Sequence, residues 1–261
     1  MSRLVRAEVL KLFTTRAWWG MLIGVVAVSL GFALLIGLIT GGDQSGGLPP
    51  VTDPAAVRSI YTAGIGTTYL FSLAAGILAM AGEWRHQTIS ATFLASPHRG
   101  RVVLAKIGGL VVIGALYGVA SVAGGIAAGA PVIAARGGSL RLLSDGVPRS
   151  LALGILAVAL WGLLGLGIAT LIRNQVAALL IAVGAAWIVE PIVSVVITQA
   201  LHRPGISRFL PSSATSAMLS PAIGDSGAQL LPWWAGALVM AAYATAFAAV
   251  GAALTLRRDV T

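Results

Sequence analysis

The chain has 261 residues, of which 57% are hydrophobic and only 10% charged, with a net charge of +9 and a mean hydropathy of +0.93. A water-soluble domain of this size carries about a quarter of its residues as charges, so the composition argues against a soluble fold. The basic excess then reads as membrane flanks and not as a nucleic-acid surface. The absence of cysteine excludes disulfides and thiolate metal sites.

The predicted class is all-α, a single polytopic membrane domain over residues 1–261 with six transmembrane helices. Five charge-free runs and a sixth broken only by Glu190 each exceed the roughly 20 residues that cross a hydrocarbon core. A lone segment in lipid must satisfy its own backbone, which makes each run a helix; alternating barrel strands of about 10 residues do not fit them.

Residues 1–16 come first. Val5, Val9, Leu12 and Phe13 recur at helical spacing, with Arg3, Arg6, Glu8 and Lys11 mainly on other faces. Such a segment is either a short helix lying along the interface or a plain positive flank. Span 1 covers 17–40, opens on Trp18 and Trp19 at an aromatic belt, and is too long for the core of a cleaved signal peptide. A Gly- and Pro-rich outer loop over 41–50 leads to span 2, residues 59–82. The polar segment 83–106 connects it to span 3, residues 107–130. Span 4 covers 150–172, and a tight turn at Arg173 to Gln175 makes it an antiparallel neighbour of span 5, residues 176–199. The apolar, Pro-interrupted stretch 207–221 is too short to span and reads as an outer re-entrant or interfacial segment, with a surface loop as the alternative. Pro232 and two tryptophans then open span 6, residues 232–256.

With both termini cytoplasmic, eleven basic residues fall inside and six outside: Arg58, Arg136, Arg141, Arg149, Arg203 and Arg208. That balance follows the positive-inside rule, and Arg136, Arg141 and Arg149 are the evidence against it. Fifteen arginines against two lysines, with abundant Ala and Gly, fit a GC-rich bacterial genome and hence a bacterial plasma membrane. The glycine pairs Gly20/Gly24, Gly37/Gly41 and Gly125/Gly129 match close helix packing.

No phosphate-binding loop occurs: Gly64 and Gly66 lack the third glycine and a preceding strand. His86, His98 and His202 are scattered, and no metal motif is present. No catalytic residue, metal ligand or cofactor of the chain's own is expected, and the chain is not expected to be an enzyme. Glu190 is the one ionisable group inside a span, where an acidic side chain costs about 2.5–3.5 kcal/mol. It shares a helical face with Ser194 and Thr198, beside the helix-loosening Pro191. Tyr61, Thr68 and Ser72 form a comparable stripe on span 2. Together these six are candidate substrate-path residues. Alternatively, Glu190 reaches the outer interface or pairs with an arginine such as Arg203.

In the 83–106 segment, Thr88, Ser90 and Thr92 can cap a short helix, Ile89, Phe93 and Leu94 offer apolar contact, and Pro97 ends it. A paired Phe and Leu on a short polar element suits a groove on a soluble protein. The run Glu83-Trp84-Arg85-His86-x-Thr88, then Thr92-Phe93-Leu94-Ala95-x-Pro97-x-Arg99 and Ala105-Lys106, resembles the segment between spans two and three of type-2 ABC exporter permeases. Glu8 to Arg16 is similar to that family's entry helix, and Phe209-Leu210-Pro211 to its piece before span six; Gln87 stands where the family usually has glycine.

The resemblance implies that Thr88 to Leu94 is a cytoplasmic coupling helix and that Glu83, Arg85, Thr88, Thr92, Phe93, Leu94, Pro97 and Arg99 contact or position an ABC ATPase. It implies ATP and magnesium on that separate subunit, and a second permease copy as homodimer or related heterodimer partner. The cargo path would lie between the permeases. Short outer loops favour a hydrophobic or amphipathic cargo, such as a drug, lipid or peptide. An autonomous secondary transporter or channel built on Glu190 is the competing reading.

Overall fold

The computed structural model describes residues 2–40, 49–85, 99–172, 174–219 and 230–257. Every regular element among them is helical. Six helices are long and apolar enough to cross a membrane: Ala17–Ile39, Pro54–Glu83, Gly100–Ala135, Val147–Leu171, Gln175–Ala200 and Trp233–Gly251.

The N-terminal helix α1 is Ser2–Thr14. It packs on the bundle: Val5 and Glu8 rest on Gly108 and Gly109, near the start of the third span. Span 1 is α2, Ala17–Ile39. Its chain enters through Phe13 packed edge-on against Trp18, with ring centroids 4.8 Å apart.

Span 2 consists of two helices, α3 (Pro54–Thr62) and α4 (Ile65–Arg85). Asp53 caps α3 by accepting from the Ala55 N–H at 2.7 Å, with Pro54 at the first helical position, where its missing N–H costs nothing. The third span, α5, runs Arg99–Ala135 and so extends beyond residues 107–130 at both ends. α6 is Val147–Leu171. Asn174 then caps the next span by accepting from Val176 and Ala177 N–H at 3.0 and 3.1 Å.

That span, α7 (Gln175–Ala200), stays continuous through Pro191. Pro191 follows a widened π-helical turn at Ala185–Val189, which contains Trp187, whose carbonyl the missing proline N–H would have met, and a second π turn lies at Val196–Ala200. At the top of α7 the backbone turns left-handed at His202, φ 50°, and α8 (Pro204–Ser207) and α9 (Pro211–Leu219) follow before the last span, α10 (Trp233–Arg257).

α4, α5 and α6 form the centre of the bundle, with α2, α7 and α10 around them. The main core joins Leu73, Ile77, Met80, Trp161 and Met240, and a smaller one at the end opposite α1 joins Val57, Ile60, Tyr61 and Ile133. The α4–α6 crossing is as close as backbones allow. A Cβ on Gly165 would stand 2.0 Å from the Leu73 carbonyl oxygen, and one on Gly76 2.0 Å from that of Gly162. Gly125, by contrast, was legible as a packing residue, and a Cβ there would meet the Tyr61 carbonyl oxygen at 2.2 Å.

The arginines at the end opposite α1 are taken up locally. Arg136 donates to the Leu38 carbonyl at 2.7 Å and to that of Thr40, which satisfies the C-terminal carbonyls of α2 and faces the negative end of its dipole. Arg58 donates to the Asp145 carbonyl, and Arg149 lies over the Trp233 ring, 5.3 Å from its centroid. Hydrogen bonds from Arg141 and Ser144 hold the exposed Asp145 carboxyl below the usual carboxylate range.

Candidate functional site

Two buried polar constructions stand out in this apolar bundle. The first lies where α1, the end of α4 and the start of α5 meet. Glu83 on α4 accepts from Lys106 on α5 at 2.6 Å and from Lys11 on α1, and Lys106 also donates to Glu8 on α1 at 3.0 Å. Glu83 and Lys106 are 3% and 6% exposed, whereas Lys11 is 44% exposed.

Two carboxylates and two ammonium groups cancel in charge, which is what allows such a group to leave water. Helix spacing sets the arrangement: Glu8 and Lys11 are three apart on α1 and share its inward face. The sequence reading placed Glu83 among groups offered to a partner. The structure instead buries it, and its ion pairs tie α4 to α1 and α5.

This hub brackets the proposed coupling segment. Thr88, Thr92, Phe93, Leu94 and Pro97 lie outside the described residues. Arg85 ends α4 and Arg99 begins α5; their side chains also lie outside the description. Beside the hub, between α1, α2, α4 and α5, is a cleft of about 430 Å³.

The second construction surrounds Glu190. Its Oε1 accepts the backbone N–H of Ser212, in the first turn of α9, at 2.5 Å. Counted at 1.5 Å per residue, Glu190 sits about 22 Å from the start of α7 and about 15 Å from its end, well inside the span.

α9 therefore starts deep in the bundle. From there it climbs along α6: Thr215 accepts from Trp161 Nε1 at 3.0 Å, and Leu219 reaches the level of Gly154. Trp161 in turn stacks on Tyr69 of α4, with centroids 4.2 Å apart. From Pro211 to Leu219 the segment thus runs within the helical bundle, alongside α6. The free N–H groups and positive dipole end of a half-helix inside an apolar core call for an acceptor. Glu190 supplies it from α7, and neither Arg203 nor the outer interface takes that carboxylate.

The six proposed path residues engage different partners within the chain. Thr68 bonds to Ser121 at 3.0 Å, and Ser121 to Ser29 at 2.8 Å, a buried hydroxyl chain linking α4, α5 and α2. Tyr61 donates to the Leu140 carbonyl at 3.1 Å. Ser72 is wedged toward Gly114 and Gly162. Thr198 bonds back to the Ser194 carbonyl of its own helix at 2.7 Å. A second cleft of about 290 Å³ does touch Glu190, between α6, α7 and α10, and its other walls are apolar side chains such as Leu73, Trp161 and Phe247.

The residues that sequence reasoning left out of the site are Glu8, Lys11, Lys106, Trp161 and Ser212. The first three carried a signal. The chain has two lysines and three glutamates, and both lysines and two of the glutamates form the hub. Trp161 and Ser212 carried none, because their partners are distant in sequence. Among the described residues no group of His, Asp or Glu is placed to hold a metal ion. The chain matches no protein-family model, and no curated protein is similar to it in sequence.

Proposed function

We propose that this chain is the membrane subunit of an ATP-driven ABC exporter, moving a hydrophobic or amphipathic molecule across a bacterial plasma membrane. The α1 end faces the cytoplasm, ATP and magnesium bind a separate ATPase, and a second permease copy completes the path. The support from sequence is the resemblance of the segment from Glu83 to Lys106 to the coupling region of that family.

The observation that carries the reading is the hub. Glu83 stands just before the segment 86–98 and Lys106 follows it, and both are ion-paired to α1. A push on the segment between them is therefore applied to α1, α4 and α5 as one unit. Paired charges away from water resist sliding apart, since separation leaves each one uncompensated. ATP-driven closure of two ATPases would tilt the spans through that unit.

The test is copurification. The detergent-extracted chain should bring down an ATPase whose turnover changes on association. Phe93→Asp should abolish that association and leave the six-span fold intact, judged by helical content and elution. An ATPase that still copurifies with Phe93→Asp would count decisively against docking at this segment.

A further inference from the structure

The arginines at the end opposite α1 are held in place but not neutralised. Among the described residues there, two carboxylates, Asp53 and Asp145, stand against six arginines. Asp53 serves as the cap of α3, and the Asp145 carboxylate takes Arg141 at 2.6 Å and Ser144 at 2.8 Å. Within the same set, Arg58 donates to the Asp145 backbone carbonyl, and Arg149 lies on the face of Trp233 with no hydrogen-bond acceptor. A carbonyl and a ring can position a guanidinium without cancelling its charge.

These two guanidiniums converge. A Cβ on Gly146 would stand 3.5 Å from Arg58 Nη1 and 3.4 Å from Arg149 Nη2. Gly146 is left-handed, φ 75°, and places no side chain between them. Like charges brought this close favour an anion that both can reach, and Arg149 is exposed. Trp233 sets the level. Arg149 lies in the first turn of α6, and Trp233 opens α10 half-exposed beside Trp234, where aromatic rings sit at headgroup depth.

We propose that Arg58 and Arg149 bind the phosphodiester of an anionic phospholipid in the leaflet at the end opposite α1. Both guanidiniums donate to its nonbridging oxygens beside Gly146, and the acyl chains stay in the bilayer. Charge selects the headgroup. Phosphatidylglycerol carries a net negative charge that offsets the local excess of cations, whereas a choline headgroup brings its own cation and offsets nothing. Arg58 and Arg149 are two of the six basic residues that run against the positive-inside rule, and a bound lipid anion gives them a reason to stand there. The inference requires only that the chain sits in a bilayer, and it stands apart from the exporter reading.

The experiment uses the full chain in mild detergent without any ATPase, so its outcome is independent of coupling. The chain is offered equal amounts of phosphatidylglycerol and phosphatidylcholine with identical acyl chains, and bound lipid is counted by native mass spectrometry. Wild type should hold phosphatidylglycerol over phosphatidylcholine by about tenfold, the scale of one charge-assisted hydrogen bond. The double variant Arg58→Gln, Arg149→Gln should bring the two to parity, while Arg101→Gln, exposed at the α1 end, should keep the preference. Equal retention by wild type, retention of neither lipid, a preference surviving in the folded double variant, or equal loss in Arg101→Gln overturns the proposal. Bound phosphatidylglycerol should also stay on when phosphate replaces chloride at equal ionic strength; full displacement would assign the site to a soluble anion and overturn the lipid. If the double variant does not fold, Arg149→Gln alone decides, and an unchanged preference there overturns the proposal too.

Discussion

Among single residues, the energetic weight of a charge in this protein follows its burial more than its partner. Lys106 is shut in between Glu8 and Glu83, so its loss strands Glu8 and leaves buried Glu83 with Lys11 alone. Removing one partner of a buried pair costs about 3–5 kcal/mol. Lys11 touches the same Glu83 from a half-exposed position, and exposed pairs are worth about 0–1 kcal/mol. Lys106→Met should therefore lower the thermal midpoint of the purified protein far more than Lys11→Met. Similar midpoints for the two would mean that the hub is open to water. Glu190 poses a different problem, because it satisfies a helix end and not a cation. Glu190→Ala should cost about 0.5–2 kcal/mol, the range for lost N-terminal caps. Glu190→Gln retains a side-chain oxygen for Ser212 and should recover most of that loss in the same melts. Transport by folded Glu190→Ala equal to wild type, at equal expression, would remove Glu190 from the cargo path.

Among elements, the decisive contact is the α4–α6 crossing. It depends on the missing side chains of Gly76, Gly162 and Gly165, since carbonyl oxygens of each helix occupy the space where the other's Cβ would be. Small residues that let backbones meet are the usual means of helix association in lipid, where no hydrophobic drive operates between helices. Gly165→Ala should displace the backbone, cost about 1–3 kcal/mol or more, and reduce the yield of monodisperse protein. Gly184→Ala, on α7 with open space around it, should be neutral in the same assay. Comparable loss at both positions would show that glycine content matters here and not the crossing. The short α9 inside the bundle belongs to this scale as well. It is held by Glu190 of α7 at its start, by Trp161 of α6 along its length, and by α10, where Gly236 lies against the Ala214 carbonyl, so three separate spans must be in place before it can dock.

At the scale of the whole molecule, orientation in the bilayer rests on the balance of arginines. Those at the far end, which count against the positive-inside rule, are engaged in capping α2, bonding the Asp145 carbonyl and stacking on Trp233. Because the chain has no cysteine, a single introduced thiol reports topology directly. Leu143→Cys, on a residue 95% exposed at the far end, should react with an impermeant maleimide in intact cells. Gly100→Cys, exposed at the α1 end, should react only after permeabilisation. The reverse pattern would place the α1 end outside and remove the basis for a cytoplasmic ATPase. α7 is the least covered of the six candidate spans, with Leu180, Trp187, Ile188 and Ile192 exposed.

Hydropathy and length alone were enough to give six helices and most of their limits, because a charge-free run of span length has one way to satisfy its backbone in lipid. Glu190 and Pro191 were also visible as irregularities. What they do was not, because the acceptor and the half-helix it caps are 22 positions apart and meet only when 201–210 folds back into the bundle. The same holds for the hub, whose members Glu8 and Lys106 are 98 positions apart. Sequence pattern records which residues share a face of one helix; which faces meet is settled by backbone crossings, and in this protein those crossings bring Thr68 to a buried hydroxyl chain, Glu190 to a helix start and Glu83 to an ion-paired hub.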